Sequence, residues 1–494
     1  MNLPWTETGT IPAPPRLSRW WIFMGVVIGL LFLIGMQLPL KWFVFLFASS
    51  LLLIFSLSIE RKREWFLCLL VLSVPIWIGM HIDYHKTPFG RSTFGFPIHF
   101  SFIPLAALYL IWVSRRVFWK MPAPISTRGL LPLAGLMGAG VVSILVAGEP
   151  RFAVFDLFAL ATSVLIFIYA ASEIRELKDL RLVMALLAGA AASQAILALA
   201  QHLTGSALGL DFFGAAKTLY GFSGLETLTR VGGLVGHPNQ LALFFDLLLP
   251  LSVSLLFLPM RAGLKYLLLA AVFLEVLALG VTYSRGGIVS SLLAIVFILL
   301  FHWSKRIGLV RAIFAVLFAA VLSMVVLVTV PNPLQKGLQR TEQTAYGRVP
   351  LVKVALNVIR HHPVFGVGLN NFVYAARQYD HTPEGLISAW NSPVHNLFLF
   401  IAGEIGLVGL TFFLIFVISA LTALLPALRS PDPFFLCAGV GLLAGLVAFF
   451  AHAQVDYTIW TQNRLLWFLL GLAISLGRIA KAPLQTPPAA PAGL

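Results

Sequence analysis

Charge is the scarcest property of this chain. Only 11% of its 494 residues are Asp, Glu, Lys or Arg, where a soluble domain carries about 25%. Set against 59% hydrophobic residues, that shortage excludes an ordinary soluble enzyme and a disordered chain. Cysteine is nearly absent. Cys68 and Cys437 both fall in apolar runs, which excludes a disulfide framework and suits small core residues. Acid is short relative to base, and the net charge is +15. No basic nucleic-acid-binding motif accompanies that excess, so nucleic acid is not an expected partner. No P-loop and no G-x-S-x-G turn occurs. His361, His362, Asp380 and His381 are close in sequence but lack H-x-x-x-H, H-E-x-x-H or C-x-x-C spacing, and no D-x-D cluster is present. The expectation is therefore no metal and no cofactor.

What the chain does have is long apolar runs. Runs of about 18 or more apolar residues are the signature of spanning helices. They predict an all-α polytopic membrane protein of fourteen spans, at 20–37, 40–58, 64–82, 99–114, 129–147, 152–172, 182–200, 239–259, 265–283, 287–303, 311–330, 407–428, 434–453 and 460–478. The first 19 residues are polar and Pro-rich, without a cleavable signal pattern. Roughly twenty lysines and arginines fall on one side of this arrangement, in the loops at 59–63, 115–128, 173–181, 261–265, 304–311 and 429–433 and near both termini. The short loops opposite hold Lys41, Arg151, Arg285 and Arg464. The bias places both termini in the cytoplasm and gives membrane lipid as a partner.

The expected organisation has five parts. Residues 1–19 are a cytoplasmic segment, and 20–330 hold eleven spans with outward loops 83–98 and 201–238. A large outward loop covers 331–394. The last spans lie in 395–478, and 479–494 is a disordered Pro/Ala tail. The loop at 331–394 is too long for a connector and is expected to carry function. Within it, Arg348 to Arg360 reads as a helix with Val349, Val352, Leu356 and Ile359 on its apolar face. A second short helix is expected over Asn370 to Tyr379.

Polar residues gather at the outward ends of the spans. In T-Y-S-R-G-G, Thr282 to Gly287, Arg285 offers a planar fork of donors suited to phosphate oxygens. The glycines after it would let a ligand come close to the backbone. An arginine snorkelling to headgroups is the bland alternative. In T-R-V-G-G-L-V-G-H-P-N, Arg230 is again followed by a Gly pair, and His237 and Asn239 flank Pro238 at a helix start. That stretch also reads as a simple capped helix entry. Arg348, in A-Y-G-R, opens a helix where a cation opposes the dipole, which hints at an anionic partner or at a solvated loop.

His395 and Asn396 open V-H-N-L-F-L-F-I-A-G-E-I-G-L-V-G, with Glu404 inside the helix. His395 is a helix-start histidine, often a structural cap, but its ordinary pKa also suits a general base. Glu404 lies about two and a half turns on, facing away from His395, and is expected to pair with another helix. His452, Gln454, Asp456, Gln462, Asn463 and Arg464 add polarity at the same level. Asp156, Asp246 and Glu275 are expected to pair internally.

The order S-R-G-G, then G-R in a long outward loop, then H-N-L-F-L-F-I-A-G-E-I-G resembles the O-antigen ligase family, most strongly over about 225–410. The resemblance implies a C-type glycosyltransferase-like fold with its site at the periplasmic face of a bacterial inner membrane. It implies His395 as base, Arg285 and Arg348 as essential cations on the donor diphosphate with Arg230 beside them, and Asn396, Glu404, His237 and Asn239 in support. The donor would be an undecaprenyl-diphosphate-linked glycan. The acceptor would be lipid A–core, or a second lipid-linked glycan if the chain is a polymerase. Fourteen spans exceed the twelve usual for these ligases, which leaves the subfamily open. A transporter is the reading from another class, but it predicts polar residues and broken helices at mid-membrane.

Overall fold

The computed structural model describes residues 61–77, 79–85, 93–117, 126–210, 219–222, 225–307, 348–385, 387 and 393–481, with a few helical residues before 48. The chain forms two compact units, Met1–Lys62 and Arg63–Leu494. All that follows concerns the second.

The unit is mostly helical. Its helices are α1 (Lys62–Ser73), α2 (Phe102–Val117), α3 (Leu130–Val146), α4 (Pro150–Glu173), α5 (Leu177–Thr204), α6 (Pro238–Leu255) and α7 (Ala262–Val281). They continue as α8 (Arg285–Ile307), α9 (Arg348–His361), α10 (Phe372–Ala376), α11 (Leu397–Thr422), α12 (Leu425–Leu428), α13 (Pro433–His452) and α14 (Arg464–Lys481). Two antiparallel hairpins interrupt them. β1 (Gly79–Ile82) pairs with β2 (Phe96–His99), Gly79 opposite His99. β3 (Leu219–Phe222) pairs with β4 (Leu225–Val231), Leu219 opposite Val231.

Among the described residues, seven helices are long and apolar enough to cross a membrane: Pro150–Glu173, Leu177–Thr204, Pro238–Leu255, Ala262–Val281, Arg285–Trp303, Leu397–Leu428 and Pro433–His452. The expected spans at 20–37 and 40–58 fall almost wholly outside the described residues, and 311–330 falls entirely outside. The expected span at 64–82 is replaced by the 12-residue α1, a turn and strand β1. Pro75 cannot continue the helix, and the chain turns out of it into the hairpin.

Local chemistry sets the helix starts. Pro150, Pro238 and Pro433 occupy first helical positions, where a missing N–H costs nothing. Asn396 Oδ1 accepts from Phe398 and Leu399 N–H, both at 3.0 Å. Asp432 Oδ1 accepts from Phe434 N–H at 2.8 Å.

α6 is mostly apolar and buried on every side beyond its first turn, with Asp246 held inside. It lies along α13, where glycines admit its backbone: a Cβ on Gly445 would sit 2.4 Å from the Leu247 carbonyl oxygen. α7 is the opposite case. It exposes Leu264, Tyr266, Leu267, Leu269 and Phe273, the kind of face a membrane protein turns to lipid.

α9 is present as expected, but its face differs. Leu351, Val354, Ala355 and Val358 are buried, while Val349 is 55% and Leu356 39% exposed. Both sets have helical spacing. Pro350 is buried with the first set, which fixes the rotation of the helix. The second short helix is also shorter than expected, one turn of α-helix (Phe372–Ala376) and then a 3-10 turn (Arg377–Tyr379).

Candidate functional site

The site lies where the starts of α6, α8, α9 and α11 meet the end of α13. His237 is the N-cap of α6. Its Nδ1 accepts from Asn239 N–H at 3.1 Å, so a neutral ring carries its proton on Nε2. Arg230, at the end of β4, donates from Nε to the Thr282 carbonyl at 2.8 Å and from Nη2 to Asn239 Oδ1. One guanidinium thus ties the α6 start to the turn between α7 and α8. Burial pushes the His237 imidazole down to about 4; the charges of Arg230 and His395 add to that, while Asp456 opposes it. Arg230, His395 and Asp456 therefore each lie within electrostatic reach of His237.

The turn that Arg230 holds is the S-R-G-G segment. Tyr283 takes the left-handed conformation (φ 52°). Ser284 is buried, and Arg285 points outward, exposed. The two glycines serve packing. A Cβ on Gly286 would lie 2.5 Å from Cδ2 of His452, and one on Gly287 would lie 2.7 Å from the Ala242 methyl. The expected close approach is thus to α13 and α6, within the fold.

His452 ends α13, with the Ala453 carbonyl accepting from Leu397 N–H at 2.8 Å. Asn396 donates to the Gln454 carbonyl at 3.0 Å. The α11 start is thereby fastened to the α13 end, and His395 sits on that joint, half-buried and edge-on to Tyr457, ring centroids 5.4 Å apart. Gln240 holds Tyr457 in turn, donating to its carbonyl at 2.8 Å. Arg348 begins α9, exposed, and its charge reaches His452. Among the described residues, neither Arg285 nor Arg348 makes a hydrogen bond or ion pair. They stand as two uncommitted cations beside a histidine.

Glu404 belongs elsewhere. It is buried, and its Oε1 accepts from Asn370 N–H at 2.8 Å. Its carbonyl accepts from Gly368 N–H at 2.8 Å, and the Gly403 carbonyl from Val367 N–H at 2.9 Å. α11 breaks there, with Gly406 at φ 70° and ψ −179°. The expected helix partner is in fact the loop 363–371, which threads through the break. The motifs H-P-V-F-G-V-G-L-N-N and G-E-I-G are two halves of one joint. Asn371 extends it, exchanging hydrogen bonds with the Glu149 main chain at 2.8 and 3.2 Å.

The internal pairings expected of three carboxylates are present: Asp246 with His452, Glu275 with Ser252, and Asp156 with Thr93 and Thr461. Which residues would meet was not visible in the sequence. Asp246 and His452 are 206 positions apart, and their only mark was polarity inside an apolar run.

Residues 269–414 match the family model described as O-Antigen ligase. The match marks a domain similar to the O-antigen ligase family. That domain contains Arg285, Arg348, His395, Asn396 and Glu404, and it covers under a third of the chain. Arg230, His237, Asn239, His452 and Asp456 lie outside it, yet the fold brings them to the same place. No curated protein sequence matches the chain. With seven apolar helices of spanning length among the described residues, three of them overlapping 269–414, the matched domain is part of a multi-pass membrane protein.

Proposed function

We propose that the chain is a metal-independent, inverting glycosyltransferase. It takes a glycan from undecaprenyl diphosphate and joins it to an acceptor hydroxyl at the periplasmic face of the inner membrane. The favoured reaction is attachment of O-antigen to lipid A–core. What carries the reading is the pair of exposed arginines, Arg285 and Arg348, without a hydrogen bond or ion pair among the described residues and set near His452 at the end of α13, within a chain matching the O-antigen ligase family.

Chemistry follows from that arrangement. Arg285 and Arg348 clamp the diphosphate and stabilise the charge that grows as the bond between the sugar C1 and the phosphate oxygen breaks. The acceptor oxygen attacks C1 from the opposite face, which inverts the anomeric centre, and its proton passes to His395. Undecaprenyl diphosphate leaves. Arg230 is already engaged by Thr282 and Asn239, so it holds the site's geometry and is the weaker candidate for diphosphate contact. His237, neutral and with Nδ1 committed to its helix, serves as a donor and not as a base.

A defined lipid-linked oligosaccharide, given to purified protein with rough lipopolysaccharide as acceptor, tests the reading. The expected product is one glycan on lipid A–core, and turnover persists in excess chelator. Chain extension on the lipid-linked donor alone would make the protein a polymerase of the same family. Activity lost to chelator and restored by Mg²⁺ would defeat the arginine-only mechanism.

A further inference from the structure

The S-R-G-G turn is anchored from below by a relay of three side chains. Asp246 of α6 is fully buried. Its Oδ1 accepts from Ser290 Oγ at 2.8 Å and from Ser291 Oγ at 2.7 Å, both on α8. Its Oδ2 lies 2.6 Å from His452 Nδ1. A carboxylate only accepts, so Nδ1 carries a proton and the ring's orientation is fixed. His452 Nε2 then reaches Ser284 Oγ at 3.3 Å, the residue immediately before Arg285. Ser290 Oγ also lies 2.8 Å from the Gly286 carbonyl, an alternative acceptor for its single proton, and so touches the chain on the other side of the arginine.

All three residues of this relay are buried, with Asp246 at 0%, His452 at 2% and Ser284 at 5% exposure. Burying a charge-assisted pair is costly and by itself weak evidence of stability, so such a pair in the bundle invites a functional reason. The glycines point to one. Gly286 and Gly287 both lie against the His452 ring, and neither has room for a Cβ. The turn is shaped around this imidazole, and the side chain it presents outward is Arg285.

We propose that His452, locked by Asp246, is a positioning residue that fixes the Ser284–Arg285 turn and so sets the affinity of the site for the donor's diphosphate group. This rests on the reading of Arg285 as a diphosphate ligand. It gives the Asp246–His452 pair, outside the matched family domain, a role exerted only through Arg285.

Binding of undecaprenyl diphosphate without glycan, by the full-length protein in detergent, tests the relay apart from transfer, with undecaprenol as the control for the lipid tail. His452→Asn keeps a donor for Asp246 but is too short to reach Ser284. It should weaken diphosphate binding about tenfold, mid-range for residues coupled in one network. His452→Gln, whose amide reaches farther, should recover part of that. In transfer assays the loss should appear in kcat/KM for the donor, leaving the acceptor KM close to wild type. Decisive is the Arg285→Ala background: there His452→Asn should have no further effect. A loss that adds fully to Arg285→Ala, or unchanged binding in a folded His452→Asn protein, overturns the proposal. Should His452→Asn misfold, Ser284→Ala breaks the last link while sparing the buried pair; it should weaken binding severalfold, and wild-type affinity would count against the relay. If the wild-type protein binds undecaprenyl diphosphate no better than undecaprenol, the diphosphate reading itself fails and the relay's role falls with it.

Discussion

His237 shows how one side chain reports on the whole site. Its ring caps α6, and burial holds it neutral down to about pH 4. The unfolded chain's histidine protonates near 6.5. Between those values the unfolded state binds the extra proton, so stability falls as pH drops from 6.5 toward 4 and is fully present above 6.5. The loss is about 3.5 kcal/mol at most, since each pH unit between the two values is worth about 1.4 kcal/mol. His237→Asn keeps a capping oxygen and removes the titration. Thermal unfolding in detergent should therefore show a shallower acid slope for the variant; equal slopes would mean that His237 is not the titrating group. The proposed reactive residues divide differently. His395→Ala should abolish transfer while donor binding stays near wild type. Arg285→Ala and Arg348→Ala should each weaken donor binding by roughly 1.5–3 kcal/mol, the worth of a charge-assisted hydrogen bond. Lysine at either position should rescue only in part, since a point charge cannot form the bidentate fork. Normal donor binding by both arginine variants would move the diphosphate to other residues.

At the scale of elements, the break in α11 is the most specific feature. Gly406 occupies a region of backbone space that is almost closed to other residues, and a Cβ there would lie 2.0 Å from the Val364 carbonyl oxygen. Gly406→Ala should cost at least about 3 kcal/mol, combining backbone strain with the clash. Glu404→Ala strands the Asn370 N–H in a buried setting and should cost about 2 kcal/mol, whereas Glu404→Gln keeps an acceptor and should cost less. Urea or thermal unfolding checks both; a Glu404→Ala protein as stable as wild type would show the joint to be dispensable. Both halves of this joint stood out in the sequence, because glycines and an acid inside apolar runs need a reason. Their meeting did not, since main-chain hydrogen bonds and close backbone packing join them, and neither leaves a mark in side-chain periodicity. The face of α9 illustrates the same limit. Two apolar stripes share the helix, and periodicity alone cannot say which one finds a partner.

At the scale of the molecule, hydropathy made the class legible and charge placement made an orientation legible. The convergence of Arg230, His237, Ser284, His395 and His452 was not, because separate spans supply them and only packing brings them together. The orientation is the premise of a periplasmic site, and it can be tested without activity. Glu384 is exposed, beyond α9 on the loop expected outside, and Lys178 is exposed at the start of α5, in a loop expected in the cytoplasm. In a background with Cys68 and Cys437 replaced, Glu384→Cys should react with a membrane-impermeant thiol reagent on cells with a permeabilised outer membrane. Lys178→Cys should react only after the inner membrane is opened. Both sites are polar surface positions, where substitution should change stability by less than about 0.5 kcal/mol. A difference in labelling therefore reports on sidedness and not on folding. Labelling of Lys178→Cys alone in intact inner membranes would invert the protein. Arg285, Arg348 and His395 would then face the cytoplasm, and a donor presented in the periplasm could not reach them.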